Sequence, residues 1–592
     1  MKNDIVPFAI TNFRNQSKVF GIKTADRRNH MYVIGKTGTG KTTLLRNMMI
    51  SDILAGNGVA VVDPHGEFAE SILDYVPESR VKDVIYFNPA DLDYPIAFNA
   101  VEKVDIKERH LVSSGLISIF KKIWADSWGP RLEYVLRNAI LALLEQPDST
   151  LLGVMRILSD KEYRKKAVEN VTDPVVKQFW TEEFSKYSSK FEVEAVAPIQ
   201  NKVGQFLTNP MIRNIVGQQK SSMHMRQIMD GKKILIMNLS KGRIGEDSSA
   251  LMGAMLITKI QQAAMSRIDI ADEEQRHDFY LYIDEFQNFA TESFAGILSE
   301  ARKYRLDLTL AHQYVAQLDE EVRDAVVGNA GTLINFRIGA DDAEFFEKEF
   351  SPEIMALDLV NLPNQKIYLK LMIDGVTSRA FSANTLPPIV KPEKSFKDEI
   401  IKYSRETYGT ARSGVEEEIK KWSAPVEAAF ASHQPLGAAS GTTEKSERKT
   451  MEKGDMTLYD ATCANCSKAI QVPFVPDPTR RTYCKTCLPA MKAKAAKKKE
   501  IAATQPEDAH HETAVSALPA LSLGDALQGA PQKFTAQKRE ANTEKKQRKG
   551  PDVEGLRDIL SQSLEGMNSA PRNTAHNGEE KNTLTLEDIS KF

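Results

Sequence analysis

The run Met31-Tyr32-Val33-Ile34-Gly35-Lys36-Thr37-Gly38-Thr39-Gly40-Lys41-Thr42-Thr43-Leu44-Leu45-Arg46-Asn47-Met48-Met49 decides how the rest of the chain is read. Four apolar residues precede a Gly-rich element, and Leu44, Leu45, Met48 and Met49 follow it at helical spacing. The pattern predicts a buried strand, a tight loop and a helix. Gly35, Gly38 and Gly40 admit backbone conformations closed to residues with a Cβ. Successive N–H groups can then turn inward around an anion, and the helix adds its positive end. In that frame Lys41 supplies a point charge for β- and γ-phosphates, and Thr42 a hydroxyl for Mg2+. The expected phosphate-binding loop is Gly35, Lys36, Thr37, Gly38, Thr39, Gly40, Lys41, Thr42 and Thr43.

The 592 residues are 42% hydrophobic and 27% charged, an ordinary globular composition with room for more than one domain. With 78 basic and 80 acidic side chains the net charge is −2, which excludes a global pull toward nucleic acid and leaves any basic surface local. No apolar stretch reaches the ~18 residues that span a bilayer, and Met1-Lys2-Asn3-Asp4 lacks a signal peptide's apolar segment. The expectation is a cytoplasmic chain with no transmembrane segment of its own. All four cysteines fall between 463 and 487, a pattern for a metal site in a reducing compartment.

Outward from the loop, Gly56-Asn57-Gly58 stops the helix and a strand over 59–62 ends in Asp63-Pro64-His65-Gly66-Glu67. Either Asp63 or Glu67 stands near Mg2+ and the attacking water, or the segment is a turn shaped by its Pro and Gly. Upstream, Arg27 and Arg28 read as solvated charges of a polar turn. A third strand is expected over 84–87, and residues 105–215 read as helices, one opened by Trp128-Gly129-Pro130 with an apolar face through Leu132, Val135, Leu136 and Ala139.

A strand over 278–283 delivers the adjacent carboxylates Asp284 and Glu285. One can hold a Mg2+ water while the other orients the attacking water; the competing reading is a helix N-cap pair. A single helix is expected from Phe289 to Arg305, then a strand over 306–310 with Gln313 at its tip. A polar amide there can sense a γ-phosphate, and the arginines upstream are candidates for a charge delivered across a subunit boundary. Arg305 and Arg337 read as salt-bridge residues.

In combination, the phosphate loop, Asp63-Pro64-His65-Gly66-Glu67, the helical insertion, Asp284-Glu285, Ala301-Arg302-Lys303-Tyr304-Arg305-Leu306 and Ala311-His312-Gln313 resemble the HerA/FtsK superfamily of ring-forming DNA-pumping ATPases. Within it they resemble the type IV secretion coupling proteins. The resemblance implies an α/β fold, a RecA-like P-loop motor with an inserted all-α domain, ATP and Mg2+ as cofactors, and a hexameric homo-oligomer whose channel carries DNA. By position Lys41 and Thr42 match the Walker A pair, Asp284 and Glu285 Walker B, Gln313 the γ-phosphate sensor and Arg302 the trans-acting arginine. Coupling proteins usually begin with transmembrane helices, and this chain starts almost at the motor. Either a separate membrane or secretion-system partner docks it at the inner face of the membrane, or it works in the cytosol. A secretion or assembly motor acting on protein is the alternative function.

The expected organisation is a motor over 1–104 and 216–390, an all-α insertion over 105–215 and a helical extension with linker over 391–455. A zinc ribbon over 456–491 and a largely disordered tail over 492–592, with a short helix near 552–565, complete it. Cys463-Ala-Asn-Cys466 and Cys484-Lys-Thr-Cys487 stand seventeen residues apart, giving four thiolates for tetrahedral Zn2+. Arg480, Arg481 and Lys485 make this stretch basic, either for nucleic-acid contact or as solubilising charge.

Overall fold

The computed structural model describes residues 4–12, 17–424, 459–466, 468–472, 584–586 and 588. The chain divides into two compact units, Met1–Pro435 with Asn577–Phe592, and Leu436–His576.

Among the described residues, thirteen strands belong to the first unit: β1 (Ile5–Thr11), β2 (Val19–Lys23), β3 (Met31–Ile34), β4 (Gly58–Asp63), β5 (Val84–Phe87), β6 (Ile234–Asn238), β7 (Phe279–Ile283), β8 (Leu306–His312), β9 (Thr332–Asn335), β10 (Lys366–Lys370), β11 (Met372–Ile373), β12 (Val376–Thr377) and β13 (Phe381–Thr385). Eleven make one sheet in the order β2-β1-β13-β10-β9-β3-β8-β7-β4-β6-β5, and β11 with β12 forms a hairpin around Asp374-Gly375. From β9 to β5 all pairs are parallel; the β2-β1-β13-β10 side is antiparallel.

The parallel strands are buried on both faces, which is why they read as near-continuous apolar runs. Alternate residues feed opposite cores. Met31, Val33, Val59 and Val61 pack with Leu44, Leu45, Met48 and Met49 of the helix Lys41–Leu54, whereas Tyr32, Ile34, Ala60 and Val62 share a core with the helical layer. That layer runs from the helix Ile106–Ile123 to Pro210–Val216, and Pro130–Leu143 begins with its proline in the first turn after Gly129.

The single helix expected from Phe289 to Arg305 is instead two pieces, the helix Glu292–Glu300 and a 3-10 turn Ala301–Tyr304 that ends at Arg305 in the left-handed region, φ 57, and another 3-10 turn, Phe286–Asn288, precedes them. The break lets Phe286, Phe289 and Phe294 all be buried in one core, with the Phe286 and Phe294 ring centroids 4.7 Å apart. Arg27 also departs from its solvated reading. It is fully buried, with a bidentate pair to Asp52 (2.8 and 3.0 Å), a bond to the Tyr282 hydroxyl (2.9 Å) and the Tyr280 ring 3.7 Å from its guanidinium carbon. Arg28 pairs with Asp278.

Beyond the sheet, the helix Lys397–Tyr408 covers the edge strand β5, where the Tyr86 N–H donates to the Ser404 hydroxyl at 2.9 Å. The helix Arg412–Ser423 reaches the helical layer through Trp422 Nε1, which donates to the Asp148 carbonyl at 2.9 Å. Leu584 bridges to Ile389, and the Val390 N–H donates to the Leu584 carbonyl at 3.0 Å. The rest of the tail, including the helix expected near 552–565, lies outside the described residues, as do 425–458. In the second unit β14 (Tyr459–Thr462) pairs antiparallel with β15 (Ala469–Val472). Among the described residues no helix is long and apolar enough to cross a membrane.

Candidate nucleotide and magnesium site

After β3 the chain folds into the Gly-rich loop, with Gly38 at φ 76 and Gly40 at φ 119. Gly40 caps the helix Lys41–Leu54, and a Cβ there would also approach the Phe336 ring to 3.3 Å. Phe336 lies fully buried under the loop, so close that a Cβ on Gly35 would come 2.4 Å from its own Cβ. Lys36 N–H donates to the Arg337 carbonyl (2.8 Å) and the Thr39 hydroxyl to the Lys36 carbonyl (2.7 Å), which fixes the loop's curvature. Lys36, Thr37 and Gly38 remain exposed. Lys41 Nζ donates to the Gly35 carbonyl at 2.6 Å and to that of Lys36 at 3.3 Å. Burial lowers its ammonium, while Glu285 and Asp284 pull the other way.

Walker A and Walker B strands are not neighbours, because β8 lies between β3 and β7. Their ends meet nonetheless. The Thr42 hydroxyl donates to Asp284 Oδ2 at 3.0 Å, and the Asp284 N–H donates to the Val62 carbonyl at 3.1 Å. Burial pushes the Asp284 carboxyl up to about 6, with Asp63 and Glu285 adding to it and Thr42 and Lys41 opposing. A buried crowd of carboxylates answered by one ammonium is relieved by a divalent cation. Among the described residues no cluster of three or more Cys, His, Asp or Glu forms a metal site. The donors that fit are Thr42 and Asp284, the sparse protein set that Mg2+ takes when phosphates and water complete its shell.

Glu285 sits at φ 50 and ψ 53, a left-handed conformation uncommon for a residue with a Cβ. Its Oε1 accepts from Gln313 Nε2 (2.5 Å), its Oε2 from Gln287 Nε2 (2.6 Å), and its carbonyl from Asn288 Nδ2 (3.0 Å). Two amides thus orient the carboxylate. Gln313 reaches it because β8 emerges between the two motif strands, Ile34 pairing with His312 and Ile283 with Leu310. Gln287 carries no motif signal beyond its place two residues past Glu285. Phe336 was equally silent, since its contact with the loop crosses 301 positions of sequence between Gly35 and Phe336.

Asp63 is spent on its own turn, accepting from the N–H groups of His65 (2.8 Å) and Ala69 (2.9 Å), and Glu67 is exposed. Arg302 is exposed on the turn before β8, donating to Asn29 Oδ1 at 2.8 Å. Gln313 follows the other end of that seven-residue strand, so Arg302 stands roughly 20 Å from its own loop. Arg305 pairs with Asp278 at 3.5 Å, and Arg337 flanks the loop through its carbonyl.

In the second unit Cys463 is buried and Cys466 exposed, in the turn between β14 and β15, with the Cys463 N–H donating to the Lys468 carbonyl at 2.9 Å. Cys484 and Cys487 lie outside the described residues.

Residues 4–350 match the model described as type IV secretory system conjugative DNA transfer. The chain belongs to that family. Residues 456–492 of this conjugative DNA transfer protein match a probable treble clef zinc finger, a span that holds all four cysteines. The chain is similar to the plasmid coupling protein TrwB in complex with ADP and Mg2+, at 16% identity and a TM-score of 0.45, over 63% of this chain and 88% of that one. It is similar to VirB4 of Thermoanaerobacter pseudethanolicus at 13% identity and 0.41, over 65% and 97%. Comparison with curated proteins gives no match.

Proposed function

We propose that this conjugative DNA transfer protein hydrolyses ATP with Mg2+ and uses turnover to move DNA through a hexameric ring of like subunits. The observation that carries the reading is the 3.0 Å bond from Thr42 to Asp284 beside the enclosed ammonium of Lys41. That bond supports the reading by joining the ends of the two motif segments. The backbone N–H groups of residues 35–42 cradle the phosphates, and Lys41 exchanges its carbonyl partners for them. Thr42 and Asp284 are the residues that hold Mg2+. Held there, the ion would supply charge neutralisation for the phosphates. Glu285, aimed by Gln287 and Gln313, orients the attacking water. Gln313 bonds that carboxylate from the strand beside the loop, which suits it to report on the γ-phosphate. Arg302, remote from its own loop and exposed, suits a role at a neighbour's site. Cys463, Cys466, Cys484 and Cys487 hold Zn2+ in this reading.

Steady-state ATPase assays against protein concentration, with and without DNA, test it. Lys41→Ala is expected to abolish nucleotide binding and hydrolysis, and Glu285→Gln to keep binding while slowing turnover roughly 100-fold or more. Arg302→Ala is expected to spare binding and stop hydrolysis. Normal rates in these variants would refute the assignments. DNA that fails to accelerate turnover even at low salt would point to a protein substrate.

A further inference from the structure

The helix Ile106–Ile123 of the helical layer ends beside the Walker B turn. Lys122, in its last turn, donates from Nζ to the Gln287 carbonyl at 3.0 Å and also to the Ala290 carbonyl. These two carbonyls lie within and just beyond the turn that leaves Glu285. Gln287 is the same residue whose side-chain amide holds Glu285 Oε2 at 2.6 Å. Among the described residues Lys122, which is half-buried, forms no ion pair with a carboxylate, and burial lowers its ammonium to about 8 with only Asp319 opposing. A half-buried charge with no carboxylate in ion-pair contact carries a desolvation cost, and a methionine of similar length would fill the space without it. Packing therefore gives no reason for the ammonium, whereas the carbonyls beside Glu285 do. Its neighbour Lys121 points elsewhere, to the exposed Glu292 at 2.9 Å.

The turn needs such a restraint. Glu285 occupies a left-handed conformation that persists only where its surroundings over-determine it, and Asn288 supplies one tie from within the turn. Lys122 supplies another from a different layer of the fold. The helix that carries it packs closely on the helix Glu246–Ser266, a Cβ on Gly115 coming 2.8 Å from Thr258 Cγ2. A displacement of this helix is thereby passed to the carbonyls of the catalytic turn.

We infer that Lys122 is a positioning residue for hydrolysis: by gripping the Gln287 and Ala290 carbonyls it keeps Gln287 on Glu285, and so makes the activity of the site depend on the placement of the helical layer. This rests on the ATPase reading above. The test compares wild type, Lys122→Met, Gln287→Ala, the double variant and Lys121→Met, each as the full chain. kcat and KM for ATP are measured alongside the affinity for a non-hydrolysable ATP analogue. Expected are a roughly tenfold fall in kcat for Lys122→Met with analogue affinity within twofold, a similar fall for Gln287→Ala, and a double variant no worse than the poorer single one. Lys121→Met is expected to match wild type. If Lys122→Met does not fold, Lys122→Gln, which keeps a donor, is expected to lose threefold to tenfold in kcat with unchanged affinity. Wild-type kcat in the lysine variant, equal losses in affinity and kcat, or multiplicative losses in the double variant would each overturn the proposal. A wild-type protein that hydrolyses no ATP would instead overturn the ATPase reading on which it rests.

Discussion

Arg27 offers the sharpest energetic test, because its surroundings are closed. Its side chain is 1% exposed and that of Asp52 0%, and the pair is completed by Tyr282, whose hydroxyl donates to Asp52 at 2.5 Å. Three elements meet here: the turn after β2, the last turns of the helix that begins at Lys41, and β7, which ends at Ile283, one residue before Asp284. Arg27→Met leaves Asp52 buried without a cation, a loss of roughly 3–5 kcal/mol. Asp52→Leu strands Arg27 and is expected to cost a similar amount. In the double variant no charge is left unpaired, but the Tyr282 hydroxyl loses both partners, about 1–3 kcal/mol. Adding Tyr282→Phe removes that orphan and leaves the Asn57 amide, which loses its 3.1 Å bond to Asp52 but is half-exposed and can turn to water, so the triple variant is expected within about 1–2 kcal/mol of wild type. Urea unfolding followed by circular dichroism measures each step. Two outcomes would refute the reasoning: Arg27→Met within about 0.5 kcal/mol of wild type, or a triple variant as unstable as the single losses summed.

His30 makes stability depend on pH. Burial lowers its imidazole from 6.5 to about 4; the bond to the Leu298 carbonyl opposes, and Arg302 adds to the shift. Nδ1 accepts from the Leu308 N–H at 3.2 Å, leaving Nε2 to donate to the Leu298 carbonyl at 3.2 Å. Because the folded value lies below the unfolded one, the contribution is complete above pH 6.5 and is lost as pH falls toward 4, on the order of 3 kcal/mol. Urea midpoints between pH 7 and 4 are expected to fall less steeply in His30→Gln than in wild type, and parallel curves would remove the assignment. For the cysteines, elemental analysis of the purified chain is expected to give about one zinc per chain, with Cys463→Ser and Cys484→Ser each abolishing it. Zinc retained in full by both variants would sink the ligand set.

Local sequence sufficed wherever structure is set by neighbours along the chain. Glycines at 38 and 40 left little choice but a left-handed loop, and Gly56 ends its helix at φ 79 as the spacing suggests. Uninterrupted apolar runs marked β3, β4, β5 and β7 because a parallel sheet buries both faces. Tertiary structure alone decided that β8 would divide β3 from β7 and so deliver Gln313 onto Glu285. It also drew Arg27 inside, where a partner 25 residues away on another element neutralises it, a pairing no local pattern encodes. Chemistry in one short segment is written in residue type and spacing. Desolvation and charge pairing depend on what the fold brings alongside, and they become legible only once the layers are packed.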